Sequence, residues 1–483
     1  MPMPRLRPVA LSIALLAFAA QASADSERLE ADLRALFAES EGELTIGKLS
    51  DSLFGGSSTA EDVVYLQPSG EALRIDRYVV EGDYDSPKQV VIDGLTVGAQ
   101  DAETSVLSAT KLTINEPAKA VIDVERLAEG ELLYTADSLV AEKLAFVANG
   151  QSAGVGTEFH ELLADFVGRI KLDRLELRQL TENSVDGVSL TGLSGEFEKL
   201  QDLGAGRFSL ESLVMNGISM PNPEGGGEDY ADELDSIPSV KEMELTGLEI
   251  DSDALVASIE GIVSDQDWND GQTSITVNNM VIDLGRMIEL MPAEERTQAR
   301  MFANMLTGGT NVVTLNAEGS GKLDEKGDGK ADYLTQGTLE LDDAFSLDAT
   351  LGALLLTPQG IEAADYVTQI EQGNLELLDF ESGKARLGIV DRGLFGRIPS
   401  VAATSQGISE AEFLAQARTQ AKGIGNMFGP QVAAVLTGLV NMMDGKASQM
   451  AVFVTLPSYT ELQASTNDPL GLPGKLSMEV TTE

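Results

Sequence analysis

An eight-residue pattern of apolar side chains recurs through the middle of the chain. Its form is apolar-x-apolar-x-x-apolar-x-apolar, as in VVIDGLTV and MELTGLEI. The outer pairs alternate with a period of two, which is the period of a half-buried strand. The copies are Val90–Val97, Leu107–Ile114, Leu139–Phe146, Ile170–Leu177, Leu213–Met220, Met243–Ile250, Ile275–Ile282 and the looser Leu334–Leu341. The pattern predicts a protein dominated by strands.

The centre of each copy breaks this alternation. The two central residues form either a two-residue hairpin turn, which Asp93-Gly94 and Asn216-Gly217 would suit, or a bulge within one strand. Hairpin arms of three residues would be short, so the pattern favours the bulge. Several copies start 30 to 32 residues apart, a spacing typical of stacked supersecondary units. Alternating strands of any large sheet also produce such matches by chance. The copies are therefore either a true structural repeat or chance matches.

Helical periodicity is confined to a few segments. Residues 25–41 predict an N-terminal helix, and Ser252 could cap a second one. Leu284–Leu306 predicts a longer helix that is broken at Pro292. Ser409–Met443, rich in Ala and Met and interrupted by Gly and Pro, predicts a hairpin of two helices.

These patterns together predict an α+β fold dominated by β structure. We expect a long, twisted, mostly antiparallel sheet or a sandwich, with the helices on one side. The predicted organisation is a signal peptide over residues 1–24, the N-terminal helix over 25–41, a repetitive β-rich region over 42–283 and a mixed β/α region over 284–483. An acidic loop, residues 221–238, interrupts the third region, and the fourth is expected to continue the same sheet.

The first residues have the features of a secretory signal peptide. Arg5 and Arg7 precede the apolar run Val9–Ala20, and Ala22-Ser23-Ala24 fits the small-residue cleavage rule. Cleavage before Asp25 would release the chain into the periplasm of a Gram-negative cell. An uncleaved N-terminal anchor is the alternative.

Charge and composition exclude several classes of partner. The formal net charge is −45, which repels nucleic-acid phosphates and anionic lipid headgroups, so we expect no nucleic-acid partner. A hydrophobic fraction of 43% indicates a globular chain and not a disordered acidic one. The best later candidate for a transmembrane helix, Met427–Met443, is interrupted by Gly429, Pro430 and Gly438, so no transmembrane segment is expected in the mature chain.

The residue inventory also limits the possible chemistry. The chain has no cysteine, and His160 is its single histidine, so a zinc site of the usual kind is excluded. A Ser-His-Asp triad would need His160, which lies on a predicted helical face over residues 159–167. Trp268 is the single tryptophan, and the scarcity of aromatic residues argues against a glycosidase. Paired carboxylates stay possible, but 78 acidic residues offer too many pairs to name a catalytic one.

One short motif suggests a metal. Asp324, Asp328 and Asp332 fall at positions 1, 5 and 9 of a calcium loop. Lys326 stands at position 3 and Thr335 at position 12, where such loops have a ligand and a bidentate Glu. The motif is therefore either a weak calcium site or an acidic hairpin turn between two strands.

The chain resembles known proteins in two respects, one in its later part and one in its abundance of predicted strands. The later part of the chain resembles uncharacterised periplasmic proteins of Gram-negative bacteria. The resemblance lies in Asp391–Arg397, in a helix entered through Gly407–Glu410, and in an ending with Pro457, Leu470 and a terminal strand. The strand-rich body resembles the AsmA-like envelope proteins, whose long sheets are associated with lipid handling. The first resemblance implies no activity, and the second implies contact with lipid.

We therefore expect a non-enzymatic periplasmic protein that serves as an envelope scaffold or binding protein, without a cofactor. A lipid, another apolar ligand or an envelope protein would be its partner, and its oligomeric state stays open. Fifteen methionines and the Gly-interrupted helical region could line an adaptable lipid groove or could be plain core. A carboxylate-based periplasmic hydrolase and a calcium-dependent extracellular interaction module are the alternatives.

Overall fold

The computed structural model of the protein falls into two compact units, residues 1–240 and 241–483. The division lies just after the predicted acidic loop, residues 221–238. The residues that the structure describes are 25–38, 42–52, 56–68, 70, 72–98, 105–122, 135–149, 166–181, 184–200, 203–219, 239–371, 373, 378–464 and 476–483. The predicted signal peptide, the predicted acidic loop, His160 and Leu470 lie outside them.

The first unit is built on antiparallel strands, each paired with the next along the chain. The strands are β1 (Glu43–Asp51), β2 (Ser57–Leu66), β3 (Ala72–Asp83), β4 (Ser86–Gly98), β5 (Ser105–Asn115), β6 (Ala136–Asn149), β7 (Val167–Leu180), β8 (Val185–Lys199) and β9 (Gly206–Ser219). Such a meander satisfies the backbone polar groups of each inner strand on both sides.

The second unit repeats this arrangement with its own antiparallel meander. Its strands are β10 (Ser239–Ser252), β11 (Val256–Asp265), β12 (Gln272–Asp283), β13 (Val312–Gly327), β14 (Lys330–Leu341), β15 (Phe345–Leu356), β16 (Phe380–Asp391), β17 (Gln449–Leu456) and β18 (Ser477–Thr482). The prediction of a β-dominated, antiparallel fold is thus confirmed. The choice between a single sheet and a sandwich, and the placement of the helices on one side, stay predictions.

Helices precede the first strand and interrupt the second meander. They are α1 (residues 25–36), α2 (Leu284–Leu290), α3 (Ala293–Thr307), α4 (Ala363–Glu371), α5 (Leu394–Gln406), α6 (Glu410–Phe428), α7 (Pro430–Met443) and α8 (Tyr459–Gln463). The predicted break at Pro292 and the predicted hairpin of helices are both present. Ser409 and Glu412 form a reciprocal capping box at the start of α6, which fixes where that helix begins.

The central break of the eight-residue pattern is a bulge inside one strand. In the first unit Asp62, Gly94, Lys143 and Gly192 adopt a left-handed backbone, one on each of β2, β4, β6 and β8. The ladder omits the pair at the break and continues in the same register beyond it. Both strands of each pair therefore have an extra residue at the break, which is why the register beyond it is unchanged.

The extra residue explains why the pattern shifts its phase. In a regular strand the third and sixth residues of a copy would point to opposite faces. The bulge returns both halves to one face, so Val90, Ile92 and Leu95 of β4 all belong to one hydrophobic core. Strand β3 has the same pattern, although it is not among the sequence copies. Its residues Leu73, Ile75, Tyr78 and Val80 belong to the same core.

The apolar face of the first unit is covered at β1–β6 by α1 and by the residues after β5. Leu29 and Leu33 of α1 are buried in this core. The Tyr78 hydroxyl donates to the carbonyl of Ala120 at 2.8 Å and accepts from the amide of Ile122 at 3.1 Å. A buried phenol is tolerated because both of its hydrogen-bonding roles are filled.

One predicted helix is wrong. The segment after Ser252 is strand β11, and Ser252 instead closes the β10–β11 turn, where its hydroxyl accepts from the Leu255 amide at 2.9 Å. Leu255, Ile259 and Ile262 are spaced as the apolar residues of one helical face would be. The three-residue step from Ile259 to Ile262 is in fact the central break of another strand, which imitates a helical step.

Candidate functional site

One face of the second unit carries rows of apolar residues that run across β12–β17. Residues directly opposite each other in an antiparallel ladder share a face. The middle row consists of Ile275, Gly319, Gly337, Ala349, Leu387 and Val452. Small residues thus stand side by side at the centre of this row, with a large aliphatic residue on either side.

The centre of this row is open above the backbone. A Cβ placed on Gly337 would have only backbone atoms of Glu318 and Gly319 within 4 Å, and no side chain. The Ile275 side chain leans over Gly319, whereas the Leu387 side chain is 51% exposed. We call this depression, floored by Gly319, Gly337 and Ala349, the small-residue trough.

The two neighbouring rows extend the same uncharged surface. The row on one side is Thr273, Gly321, Thr335, Leu351, Ala385 and Val454. The row on the other side is Val277, Ala317, Leu339, Leu347, Ile389 and Met450. The three rows contain no charged residue, although 23% of the chain is charged. On the opposite face Arg386 pairs with Asp348, so the two faces differ in chemistry.

An aromatic wall closes one end of the trough. The Trp268 indole lies over Gly321, where a Cβ would come within 2.4 Å of the ring. Its Nε1 donates to one Glu371 carboxylate oxygen at 3.1 Å, and the Tyr333 hydroxyl donates to the other at 3.1 Å. Glu371, at the end of α4, therefore satisfies both polar groups and leaves the ring surfaces apolar.

The Tyr333 hydroxyl of this wall does not change its protonation state near neutral pH. Burial, together with the nearby Glu371 charge, raises the pKa of Tyr333 to about 12. The phenol consequently stays protonated and keeps donating to the carboxylate. The wall is thus suited to packing and positioning and not to proton transfer.

Helices α5 and α7 form the opposite wall. Gly438 of α7 lies so close to the sheet that a Cβ there would meet the Met450 sulfur at 2.5 Å. Phe395 of α5 and Met442 of α7 are buried with Met450 in one core. The Asp391–Arg397 segment that carries the first resemblance starts this wall, because the Asp391 carboxylate accepts from the amides of Gly393 and Phe395.

The three aspartates of the calcium motif occupy a hairpin. Asp324 and Asp332 are paired across β13 and β14, and Asp328 lies in the two-residue turn between the strands. The Lys326 ammonium lies 2.6 Å from a carboxylate oxygen of Asp324 and 3.0 Å from one of Asp332, and this contact lowers the pKa of Asp324. Among the described residues no group of three or more His, Cys, Asp or Glu could hold a metal. The calcium site stays a prediction, and the arrangement gives it no support.

A shallow polar depression lies beside this hairpin. It is lined by Glu325, Asp328, Lys330 and the segment 357–363 that leads into α4. Its lining mixes acids, a lysine and backbone, without a cluster of catalytic groups. We assign no site there.

Among the described residues, the carboxylates with displaced pKa values offer no acid for hydrolysis. A neighbouring Arg28 lowers the pKa of Asp85, the backbone and hydroxyl of Ser409 lower that of Glu412, and Lys446 lowers that of Asp444. A general acid would need the opposite shift, such as burial produces. These groups serve as helix caps and surface ion-pair partners.

The trough differs from the groove that the sequence suggested. The methionines Met442 and Met450 belong to a buried core, so the helical region forms a wall and not the floor. Gly319, Gly337 and Ala349 were not singled out from the sequence. Their only local sign is a small residue at a strand position where the alternation expects a large apolar one.

No helix among the described residues is long and apolar enough to cross a membrane. Comparison of the chain with protein-family models, with curated proteins and with solved structures gave no match. The two resemblances in the sequence therefore stay expectations.

Proposed function

We propose that this chain is a non-enzymatic envelope protein of the periplasm that binds the hydrocarbon chain of a lipid in the small-residue trough. The observation that carries the proposal is the uncharged row in which Gly319, Gly337 and Ala349 lie beside the exposed Leu387. The periplasmic location rests on the signal-like residues 1–24.

The chemistry of the trough favours a flexible aliphatic ligand. Its floor offers methylene and backbone surface, and its open part has no charged group that would need a polar partner. From Ile275 to Leu387 the row spans four strand spacings, or about 19 Å. Covering apolar surface of this kind contributes roughly 25 cal/mol per Å² removed from water.

The first experiment is to purify the protein from periplasm, extract it with organic solvent and identify lipids by mass spectrometry. We expect about one lipid per chain. If no lipid were found in either native or gently stripped preparations, lipid binding would be rejected. An envelope scaffold would then remain as the proposed function.

A variant that fills the trough distinguishes lipid bound in the trough from lipid that adheres elsewhere on the protein. Ala349→Phe places a ring on the floor, and we expect it to reduce the bound lipid strongly. Thr338→Phe is the matched control, because Thr338 is exposed on the opposite face of the neighbouring strand. Equal lipid in the two variants would show that the trough is not the site.

A further inference from the structure

The helical hairpin of the second unit is nearly free of acidic residues. Residues 413–443 contain none, although 78 of the 483 residues of the chain are acidic. The same stretch contains two bases, Arg418 and Lys422, and residues 423–443 carry no charge at all. In a chain with a formal net charge of −45, this is a local reversal of the electrostatic character.

The hairpin is firmly held at its base and closely packed near its tip. Arg418 and Lys446 both pair with Asp444 at the end of α7. Near the tip, a Cβ on Gly425 would come within 2.4 Å of the Ala433 Cβ, so the two helices are in direct contact. The tip is therefore a defined structural element on an anchored base.

The tip exposes large apolar side chains. Met427 is 69% exposed and Ile424 is 41% exposed, both in the last turns of α6. Lys422, one turn earlier, is also exposed, and its ammonium has no carboxylate partner among the described residues. The buried residues of α7, in contrast, are Gly438, Val440 and Met442, in its second half.

The tip is electrostatically separated from the acids of its own hairpin. Asp444 lies one helix of 14 residues away, which is about 20 Å along the axis. The Debye length at physiological ionic strength is about 8 Å. Repulsion between these acids and an anionic surface is therefore largely screened at the tip.

From this arrangement we propose that the α6–α7 tip, residues 422–436, inserts shallowly into the interfacial layer of a phospholipid bilayer. An exposed apolar end with a single cation and no acid fits that layer, where methionine and isoleucine enter the acyl boundary and lysine stays at the headgroups. A protein partner would be expected to meet a rim with several charged residues, whereas the tip carries Lys422 alone. This contact does not depend on the trough, because the tip and the trough share no residue. Vesicle binding tests the tip, and lipid retention tests the trough.

The absence of cysteine makes a direct test possible. A Met427→Cys variant of the full chain, labelled with an environment-sensitive dye, is mixed with vesicles of phosphatidylethanolamine and a minor fraction of phosphatidylglycerol. We expect a blue shift and stronger emission. Leu290→Cys is the matched control, because Leu290 is a 59% exposed apolar residue on helix α2, and its label should not respond.

Unlabelled variants test the energetics by vesicle flotation. The double variant Ile424→Asp with Met427→Asp should reduce binding at least about tenfold, because two apolar side chains no longer leave water. Leu290→Asp should bind as the unchanged protein does. Circular dichroism and urea unfolding establish that both variants are folded.

Three results would overturn the proposal. They are failure of the unchanged protein to float with vesicles, an unresponsive label at position 427, and an equal loss of binding in the Leu290→Asp control. A tip that binds no vesicle but still protects its label in the presence of envelope protein would point to a protein partner.

Discussion

The Arg397 Nε lies 2.7 Å from the carbonyl oxygen of Met305, so a side chain of α5 caps the C-terminal end of α3. The same guanidinium donates to the carbonyls of Leu306 and Asp343. Met305 and Leu306 lie in the last turn of α3, where the carbonyls have no partner within the helix, and a cation near a helix C-terminus is favourable. We expect Arg397→Met to lower the free energy of unfolding of the second unit by about 1–3 kcal/mol in urea titrations.

Arg300→Met provides the comparison, since Arg300 is an exposed residue of α3. A change within about 0.5 kcal/mol is typical of such surface positions. Equal effects of the two substitutions would mean that the three carbonyl contacts of Arg397 contribute nothing.

The bulge of β4 should be sensitive to a side chain at its left-handed position, Gly94. Gly94 has φ 69°, and a Cβ there would come within 2.0 Å of the Asp76 carboxylate. Gly94→Ala should therefore destabilise the first unit by more than the roughly 1 kcal/mol that the backbone strain alone costs. Chemical denaturation followed by circular dichroism measures this loss.

Gly396→Ala should have the opposite sign. Gly396 lies within α5, and a Cβ there would meet nothing within 4 Å. Alanine in a helix is favoured over glycine by about 0.8–1.0 kcal/mol. If Gly94→Ala proved equally harmless, the bulge would not depend on its left-handed residue.

Calcium should compete poorly with Lys326 for the β13–β14 hairpin. The Lys326 ammonium already lies between Asp324 and Asp332. We expect no heat on titration of the protein with millimolar calcium, and a measurable response in Lys326→Asn, which frees both carboxylates. Heat of binding in the unchanged protein would restore the calcium hypothesis.

Alkaline pH should destabilise the second unit through Tyr333. Burial raises the pKa of Tyr333 from 10.0 to about 12, so the folded state favours the neutral phenol. Its contribution to stability is complete below the unfolded pKa of 10.0 and is lost as the pH rises towards 12. Tyr333→Phe should lack this loss in urea midpoints measured across that window.

Tyr459→Phe is the control for this titration, because Tyr459 packs against the same core. It should keep the alkaline loss of the unchanged protein. Identical pH profiles of Tyr333→Phe and the unchanged protein would contradict the role given to Tyr333.

Local features of the sequence were sufficient for most of the elements. The eight-residue pattern predicts the strands because the period of alternation is a local property. Pro292 and the Ser409 capping box mark helix ends for the same reason. The pattern failed after Ser252, where the bulge of one strand, between Ile259 and Ile262, has the spacing of a helix.

The trough could not be found this way. Gly319, Gly337 and Ala349 lie on three strands, and only the register of the ladders places them side by side. A shift of one residue in any ladder would turn that strand's small residue to the opposite face.

The sequence by itself thus determined the strand-dominated class, the helical hairpin and the charge contrast between that hairpin and the rest of the chain. The tertiary structure decided which of those residues meet. It buried Met442 and Met450 in a core, left Leu387 and Met427 exposed, and placed Lys326 between two aspartates. The physical reason is that periodicity and charge are written along the chain, whereas cavities and exposed surfaces depend on which residues of distant strands and helices come into contact.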